Sequence, residues 1–325
     1  QVKFCTRLQG KESWFLPFNK GYKDGAGNPP NPDGLMTDYL WKQILTKDML
    51  SRIIENYATL VEEKDEETGK TRYKQIFPRY HQLTAVESLL ADVKKNGVGN
   101  RYLIQHSAGS GKSNSIAWLA HQLTGLEDAQ GNLLVDSVIV VTDRVVLDKQ
   151  IRDTIRQFAQ TRNIVAWAEH SGDLRKAIED GRRIIIIDEA HSSQNGKTAG
   201  TMNMTLSAIV SDPDMDNEDK INAMCEGKKL LTNASYFAFT ATPKNKTLET
   251  FGTAYEDAGV IKHRPFHVYT MKQAIQEGFI LDVLKYYTPI DSYYRLKKTV
   301  EDDPMFDKKK AQKKLRAFVE NQTFT

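Results

Sequence analysis

The amino-acid sequence predicts an α/β protein: a parallel sheet with helices on both faces, preceded by a mostly helical and loop-forming connector. Continuous apolar runs at residues 138–141, 184–187 and 236–239 have the length of strands, and helix-like segments lie between them. Such runs are typical of parallel strands that are buried on both faces. The stretch 102–124 adds a strand, a glycine-rich turn and an amphipathic helix.

The first part of the chain predicts a connector. Glycine, proline and asparagine dominate residues 25–34, which favours turns. Thr37 is a candidate N-cap for a helix from Asp38 to about Tyr57, and the charged stretch 62–69 predicts the tip of an exposed hairpin. The predicted divisions of the chain are a connector at 1–70, a central lobe at 71–290 and a basic segment at 291–325.

The composition excludes several classes of protein. Lys and Arg number 45 and Asp and Glu 42, so the net charge of +3 is no global signal for a polyanion partner. Two cysteines, Cys5 and Cys225, indicate a reducing compartment, and we expect the cytoplasm. No apolar run approaches the roughly 18 residues of a membrane span. Because the chain begins at Gln1, we expect it to be a fragment.

Residues 108–113 predict a phosphate-binding loop between the strand and the helix of the 102–124 stretch. Gly109 and Gly111 lack Cβ, so the backbone N–H groups of the loop, including that of Ser110, can approach a triphosphate at a helix start. Free amides and the helix dipole both attract anions there.

Two further side chains of the loop match this chemistry. Lys112 supplies a positive charge, and the Ser113 hydroxyl is a ligand for Mg²⁺. His106 stands where the longer G-x-x-x-x-G-K-[ST] pattern has its first glycine, so the match is to the shorter A-x-x-G-K-S form. A chance Gly-Lys-Ser in a surface turn is the alternative, and the flanking strand and helix oppose it.

A glutamine upstream of this loop is a candidate for binding a nucleotide base. Gln82 precedes a predicted helix at 83–95, and its amide can both donate to and accept from the N6/N7 edge of adenine. An aromatic side chain such as Phe77 or Tyr80 can stack on the ring. A surface glutamine beside an aromatic residue looks the same, so the loop downstream is what supports this hypothesis.

Polar residues follow the apolar run at 138–141, at the edge where a parallel sheet binds ligands. Arg144 can reach a phosphate backbone from this edge, and helix capping by Thr142 and Asp143 is an equally good interpretation. The elements predicted beyond this point are helices at 144–160 and 172–180 and a strand at 164–167.

Asp188 and Glu189 follow the buried run at 184–187. An aspartate at a strand tip can hold Mg²⁺ through water, and the next carboxylate can deprotonate the water that attacks the γ-phosphate. A simple capping pair is the alternative. Thr240 and Thr242 end the next run, and we expect their hydroxyls to lie beside this strand end.

Other patterns favour a structural interpretation. Glu62 and Lys64 fit the E-x-K fragment of metal-dependent nucleases, but a solvated turn offers no further carboxylate for Mg²⁺. His263 and His267 have the spacing of metal ligands without any companions, so we interpret them as surface residues. The stretch 281–287 predicts a last strand, and the basic stretch 308–316 a solvated helix.

Together, these motifs resemble the first RecA-like lobe of a superfamily 2 helicase-type motor. The matching segments are, in order, 80–82, 108–113, 142–144, 188–191 and 240–243. The flanking sequence is similar to the R (HsdR) subunit of type I restriction enzymes. The segments that carry this similarity are 14–21, 25–29, 37–41 and 77–82. The resemblance covers roughly residues 1–290.

In that family a nuclease is joined to a two-lobed ATP-driven motor that pumps double-stranded DNA past a complex of methylation and specificity subunits. The resemblance implies ATP and Mg²⁺ as ligands. It implies that Gln82 contacts adenine, that Lys112 and Ser113 bind phosphate and Mg²⁺, and that Asp188 and Glu189 are the Mg²⁺ partner and the catalytic base. It also implies that Thr240 and Thr242 couple hydrolysis to movement and that Arg144 contacts DNA.

The resemblance therefore implies an ATP-dependent double-stranded DNA translocase module of a restriction endonuclease R subunit. Because the family's nuclease carboxylates and second lobe have no counterpart in this stretch, we do not expect the fragment alone to be a competent motor. A strand-separating DNA or RNA helicase is one alternative. A nucleotide-binding scaffold that does not hydrolyse ATP is another, although it would not need Glu189 beside the Mg²⁺ aspartate.

Overall fold

The computed structural model describes residues 1–6, 10–13, 15–64, 71–142, 155, 183–188, 234–282 and 285. The chain forms two compact units, residues 1–280 and 281–325. Some predicted features lie outside the described residues: Arg144, Glu189, the helices at 144–160 and 172–180, the strand at 164–167 and the basic stretch 308–316. The predicted domain boundaries at 70 and 290 stay predictions.

Eleven strands and five α-helices lie in the described part of the chain. The strands are β1 (Lys3–Phe4), β2 (Leu16–Pro17), β3 (Thr59–Lys64), β4 (Thr71–Ile76), β5 (Arg101–His106), β6 (Ser137–Val141), β7 (Arg183–Asp188), β8 (Ala234–Thr240), β9 (Thr253–Asp257), β10 (Val260–Arg264) and β11 (His267–Tyr269). The helices are α1 (Lys47–Asn56), α2 (Tyr80–Asn96), α3 (Lys112–Leu123), α4 (Asn245–Phe251) and α5 (Met271–Gln276). In this part, no helix is long and apolar enough to cross a membrane.

A five-stranded parallel sheet forms the centre of the first unit, which confirms the predicted α/β class. Its strand order is β11-β5-β8-β7-β6, and each neighbouring pair is parallel. The apolar runs predicted to be strands are β6, β7 and β8. Because the sheet is parallel, all of its carboxyl ends meet at one edge.

Helices cover both faces of this sheet, because successive side chains of each strand point to opposite faces. On one face α2 and α3 pack against Ile104, Phe237 and Phe239, and the indole of Trp118 is fully buried among them. On the other face Phe251 of α4 packs against Leu103 and its neighbours. The alternation explains why the strands are apolar throughout and show no polar face.

The predicted hairpin is formed by β3 and β4, and residues 65–70 at its predicted tip lie outside the described residues. Strands β3 and β4 pair antiparallel, with Thr59 opposite Ile76. The helix predicted from Asp38 to Tyr57 is wrong in its first half: a π-helical turn, Leu40–Ile44, precedes α1. The physical reason is that Thr46 has an extended backbone, and its hydroxyl accepts a hydrogen bond from the Met49 amide at 3.4 Å, which makes it the N-cap in place of Thr37.

Two other predicted boundaries also differ from the structure. Helix α2 begins at Tyr80 and not at residue 83, because Gln82 lies in its first turn and accepts a 2.9 Å hydrogen bond from the Arg79 amide. The strand beside β5 is β11, whereas the described start of the predicted last strand, Leu281 and Asp282, is irregular. Only three residues long, β11 is too short to show a strand pattern in the sequence.

The connector docks on the lobe through aromatic rings. Phe4 lies 4.9 Å from Phe77, and Phe18 and Tyr39 meet Tyr80 edge-to-face at 5.5 and 5.2 Å between ring centroids. The hydroxyl of Tyr39 also donates to the Phe18 carbonyl. Such contacts stabilise the docked arrangement beyond the area that they bury.

Candidate nucleotide site

The residues that the sequence predicts to form the site converge at the carboxyl edge of the sheet. Gln105 of β5 pairs with Thr240 of β8, and Phe239 of β8 pairs with Asp188 of β7. Since neighbouring strands are about 4.8 Å apart, Asp188 is two spacings, roughly 10 Å, from the strand that leads into the glycine loop. The structure therefore brings the loop, Asp188 and Thr240 to one place.

The glycine loop, residues 107–113, presents backbone N–H groups without protein acceptors. Gly109 and Gly111 have φ of 69° and 79°, a left-handed conformation that favours glycine. In the described residues the amides of Gly109, Gly111 and Ser113 donate no hydrogen bond, whereas the Ser110 amide donates to Ser107 at 3.3 Å. Unpaired amides that lie close together at a helix start can form an anion-binding concavity.

Close packing behind the loop adds a second reason for both glycines. A Cβ on Gly111 would lie 2.5 Å from Nε2 of Gln82, and a Cβ on Gly109 would lie 2.5 Å from the Ile280 side chain. A larger residue at either position would therefore have to displace its neighbour as well as adopt a strained backbone.

Lys112 and Ser113 begin α3 and are both half-buried. Asp188 is the last residue of β7 and is 5% exposed. A hydroxyl and a carboxylate are oxygen donors of the kind that Mg²⁺ prefers, and a nucleotide site needs only one or two of them from the protein. The residues thus fit a Mg²⁺-triphosphate. The described part of the chain contains no cluster of three or more histidine, cysteine, aspartate or glutamate side chains able to hold a metal alone.

Gln82 lies against the loop. Its Nε2 donates to the Gly111 carbonyl at 2.9 Å, its Oε1 accepts from the Arg79 amide, and the residue is 2% exposed. Phe77 and Tyr80 pack against the aromatic rings of the connector. In this structure the Gln82 amide therefore bonds to backbone groups of Arg79 and Gly111, and its contact with adenine stays a prediction.

A cluster of three histidines lies behind the loop, and the sequence analysis missed it. His106 Nε2 lies 2.9 Å from Nδ1 of His267, and His267 Nε2 lies 3.2 Å from the hydroxyl of Thr84. The ring of His81 stands edge-to-face to that of His106 at 5.2 Å. His267 was predicted to be a surface residue, which is wrong because β11 places it against β5.

The cluster is electrically neutral, and hydrogen bonding fixes its tautomers. Burial lowers the pKa of His81 and of His106 well below the ordinary value of 6.5, and it lowers the pKa of His267 to about 4. Thr84 donates its hydroxyl hydrogen to the Tyr80 carbonyl at 2.9 Å, so His267 must donate to Thr84 from Nε2. His106 then donates from its own Nε2 to Nδ1 of His267.

A family comparison identifies the kind of site. A model of the SWI2/SNF2 ATPase family matches residues 81–317, which is more than half of the chain. The chain belongs to the SWI2/SNF2 ATPase family. It is a helicase-like ATPase domain, and the predicted helicase-type family is confirmed.

Two further comparisons add less. Among solved structures, the chain is similar to a fragment of a candidate HsdR subunit of a type I restriction enzyme from Vibrio vulnificus YJ016, at 14% sequence identity and a TM-score of 0.35. That match covers 86% of this chain and 55% of the other, so the chain spans about half the length of that structure. A search of curated proteins finds no match.

The remaining predicted residues of this SWI2/SNF2 ATPase domain have different outcomes. Thr240 is fully buried, and its hydroxyl accepts a 3.3 Å hydrogen bond from the amide of exposed Thr242. This bond ties the strand end to the following turn, and the coupling role of the two threonines stays a prediction. Glu189, which follows Asp188, and Arg144, two residues after Thr142, lie outside the described residues.

Proposed function

We propose that this chain is the ATP-hydrolysing part of a motor that moves double-stranded DNA, within the R subunit of a type I restriction endonuclease. The nucleotide-binding part of the proposal rests on the amides of Gly109, Gly111 and Ser113, which donate no hydrogen bond in the described residues. They follow strand β5, which lies two strand spacings from β7 and its last residue, Asp188. A nucleotide triphosphate supplies the negative charge that such amides attract.

The residues divide the work of hydrolysis. The loop amides and Lys112 hold the phosphates, and the Ser113 hydroxyl and the Asp188 carboxylate hold Mg²⁺, which neutralises charge on the phosphate oxygens when bound. Glu189 accepts a proton from the attacking water. Thr240 and Thr242 link the strand end next to Asp188 with the turn that follows it, which supports a part for them in coupling.

Duplex DNA is the proposed substrate of the movement, and Arg144 the proposed contact with its phosphates. The segments that resemble R subunits support this choice, because Phe18, Tyr39, Phe77 and Tyr80 come from them and pack together beside the start of α2. The methylation and specificity subunits of such an enzyme are the proposed partners, in the cytoplasm. Backbone contacts carry no sequence information, so recognition of a DNA site belongs to those subunits.

The test uses the full-length protein with its proposed partner subunits. ATP turnover and DNA affinity are measured with several unrelated duplexes and with matched single strands, at two salt concentrations. We expect duplexes to stimulate turnover whatever their sequence, and affinity to fall steeply with salt. Arg144→Ala should weaken binding to every duplex by a similar factor and reduce the salt slope by about 1.

Glu189→Gln is the matched control, since it keeps the shape of the side chain and removes the base. It should bind ATP and duplex as the unaltered protein does, while turnover falls by about 10²–10⁴-fold. A clear preference for single strands would favour a strand-separating helicase. Unchanged turnover in Glu189→Gln would move the base elsewhere, and ATP binding that never leads to turnover would indicate a scaffold.

A further inference from the structure

Side chains at the start of α2 hold three successive carbonyls of the glycine loop. Arg79 Nη1 donates to the Gly109 carbonyl at 3.2 Å, His81 Nε2 lies 3.0 Å from the Ser110 carbonyl, and Gln82 Nε2 donates to the Gly111 carbonyl at 2.9 Å. In a planar trans peptide the C=O and the following N–H point in opposite directions. Holding a carbonyl behind the loop therefore turns the next amide toward the front.

The bond from His81 differs from that of Arg79 in the amide group at the other end of the peptide that it holds. The peptide held by Arg79 ends in the Ser110 amide, which already donates to Ser107 at 3.3 Å. The peptide held by His81 ends in the Gly111 amide, which donates to no acceptor in the described residues. His81 thus controls the direction of an amide that is available to a ligand.

The surroundings of His81 fix its ring in the orientation that this bond needs. The imidazole is stacked on the ring of Tyr269, with centroids 3.6 Å apart and planes 12° from parallel. The Tyr269 hydroxyl donates to Glu277 at 2.7 Å, which holds the tyrosine in place. Because a carbonyl only accepts, His81 must carry its hydrogen on Nε2, and buried Ser110 has no alternative solvent donor for its carbonyl.

We propose that His81 is a positioning residue for nucleotide binding, which acts by donating to the Ser110 carbonyl and so aiming the Gly111 amide at a phosphate. This inference rests on the proposed function, because it specifies how the same site is shaped. Loss of the donor leaves the Ser110–Gly111 peptide free to rotate, and the amide is no longer directed before the nucleotide arrives.

The experiment compares two substitutions at His81 in the full-length protein. His81→Leu removes the donor, and His81→Gln keeps an N–H group near the position of Nε2. Affinity for a fluorescent ATP analogue with Mg²⁺, KM and kcat for ATP, and the thermal midpoint are measured for each. We expect His81→Leu to raise Kd and KM about tenfold with little change in kcat, and His81→Gln to stay within about threefold of the unaltered protein.

Two reference variants make the outcome decisive. Thr84→Val removes the hydroxyl that His267 contacts but touches no loop carbonyl, so it should lower the thermal midpoint and leave Kd unchanged. Lys112→Ala removes the charge in front of the loop and should raise Kd about 100-fold. The proposal on His81 is overturned if His81→Leu binds like the unaltered protein, if His81→Gln is as weak as His81→Leu, or if Thr84→Val raises Kd equally. A Kd within twofold of the unaltered protein in Lys112→Ala would overturn the nucleotide site itself.

Discussion

The front and the back of the glycine loop are built in different ways. The front consists of the amides of Gly109, Gly111 and Ser113 with the side chain of Lys112, all within five consecutive residues. The back consists of side chains from distant parts of the chain, His81 of α2 and His267 of β11 among them. The front carries the groups proposed to hold the phosphates, and the back contains three histidines whose pKa values burial lowers.

Binding of the negative charge and the shape of the loop therefore depend on separate residues. At the front, polar groups face outward at a helix start, where negative charge is favoured. At the back, burial lowers the pKa values of His81 and His106, and the hydrogen bond of His81 to the Ser110 carbonyl sets the direction of the backbone. Changes at the front should therefore alter ligand binding, and changes at the back should alter the stability of the folded state as well.

A fall in pH should have the largest effect, and it should lower the stability of the folded state through the histidines at the back of the loop. The pKa values of His81, His106 and His267 are lowered in the folded state, so below pH 6.5 the unfolded chain binds protons that the folded chain does not. Stability is then unaffected by these groups above pH 6.5 and falls as the pH drops toward about 4. At one pH unit below 6.5, His267 with its folded pKa of about 4 should account for a loss of about 1.4 kcal/mol, and His81 and His106 should add to that loss in the same direction.

The measurement is the free energy of unfolding by urea between pH 5 and 8. Other charges near the cluster, Arg79 beside His81 and Lys112 beside His106, act in the same direction by opposing protonation. His267→Gln serves as the matched variant, because it removes one titrating group from the cluster and should reduce the slope by about one proton. An unchanged slope in that variant would show that His267 is protonated in the folded state.

The same contrast explains what the sequence could and could not predict. The strands β6, β7 and β8 and the loop were predictable, because apolar runs and the Gly-Lys-Ser motif are local patterns. The cluster was not, because nothing near His267 indicates that the three-residue strand β11 will pair with β5 and bring it to His106. Contacts between residues that are 161 apart in the chain leave no local signal.

The residues that cap helices were recognised from the sequence, but their roles or positions were not predicted correctly. Gln82 was predicted as a ligand contact from its type and from the loop downstream, whereas the structure uses its amide to close the first turn of α2 and to hold Gly111. A glutamine at the third position of a helix serves an N-terminal cap as readily as it serves a ligand. The helix predicted to begin at Asp38 failed similarly, since Thr37 and Thr46 are equally good caps by residue type.

Lys112→Ala tests the front alone, and its expected effect is the second largest. Removal of the charge that faces the phosphates should raise Kd for Mg²⁺-ATP about 100-fold, which corresponds to about 2.7 kcal/mol. The thermal midpoint without nucleotide should change much less than the affinity, since Lys112 is half-buried at a helix start and donates no hydrogen bond within the three-histidine cluster. ATP affinity within twofold of the unaltered protein would contradict the assignment of the loop.

Gly111→Ala tests the point where the front meets the back, and its expected free-energy effect is smaller than the loss of affinity expected for Lys112→Ala. At φ of 79° an alanine costs about 1–2 kcal/mol, and its Cβ would lie 2.5 Å from the Gln82 amide that holds the loop. Gly259→Ala is the matched control, because Gly259 has the same φ of 79° with no atom within 4 Å of a Cβ. Both variants should lose similar stability to backbone strain, but only Gly111→Ala should also weaken nucleotide binding.

Adding Gln82→Ala should then cost less in the Gly111→Ala protein than in the unaltered one, since the displaced amide no longer contributes its bond. Equal costs in the two backgrounds would show that the Gln82 amide moves aside freely and that the back does not restrain the front at this residue.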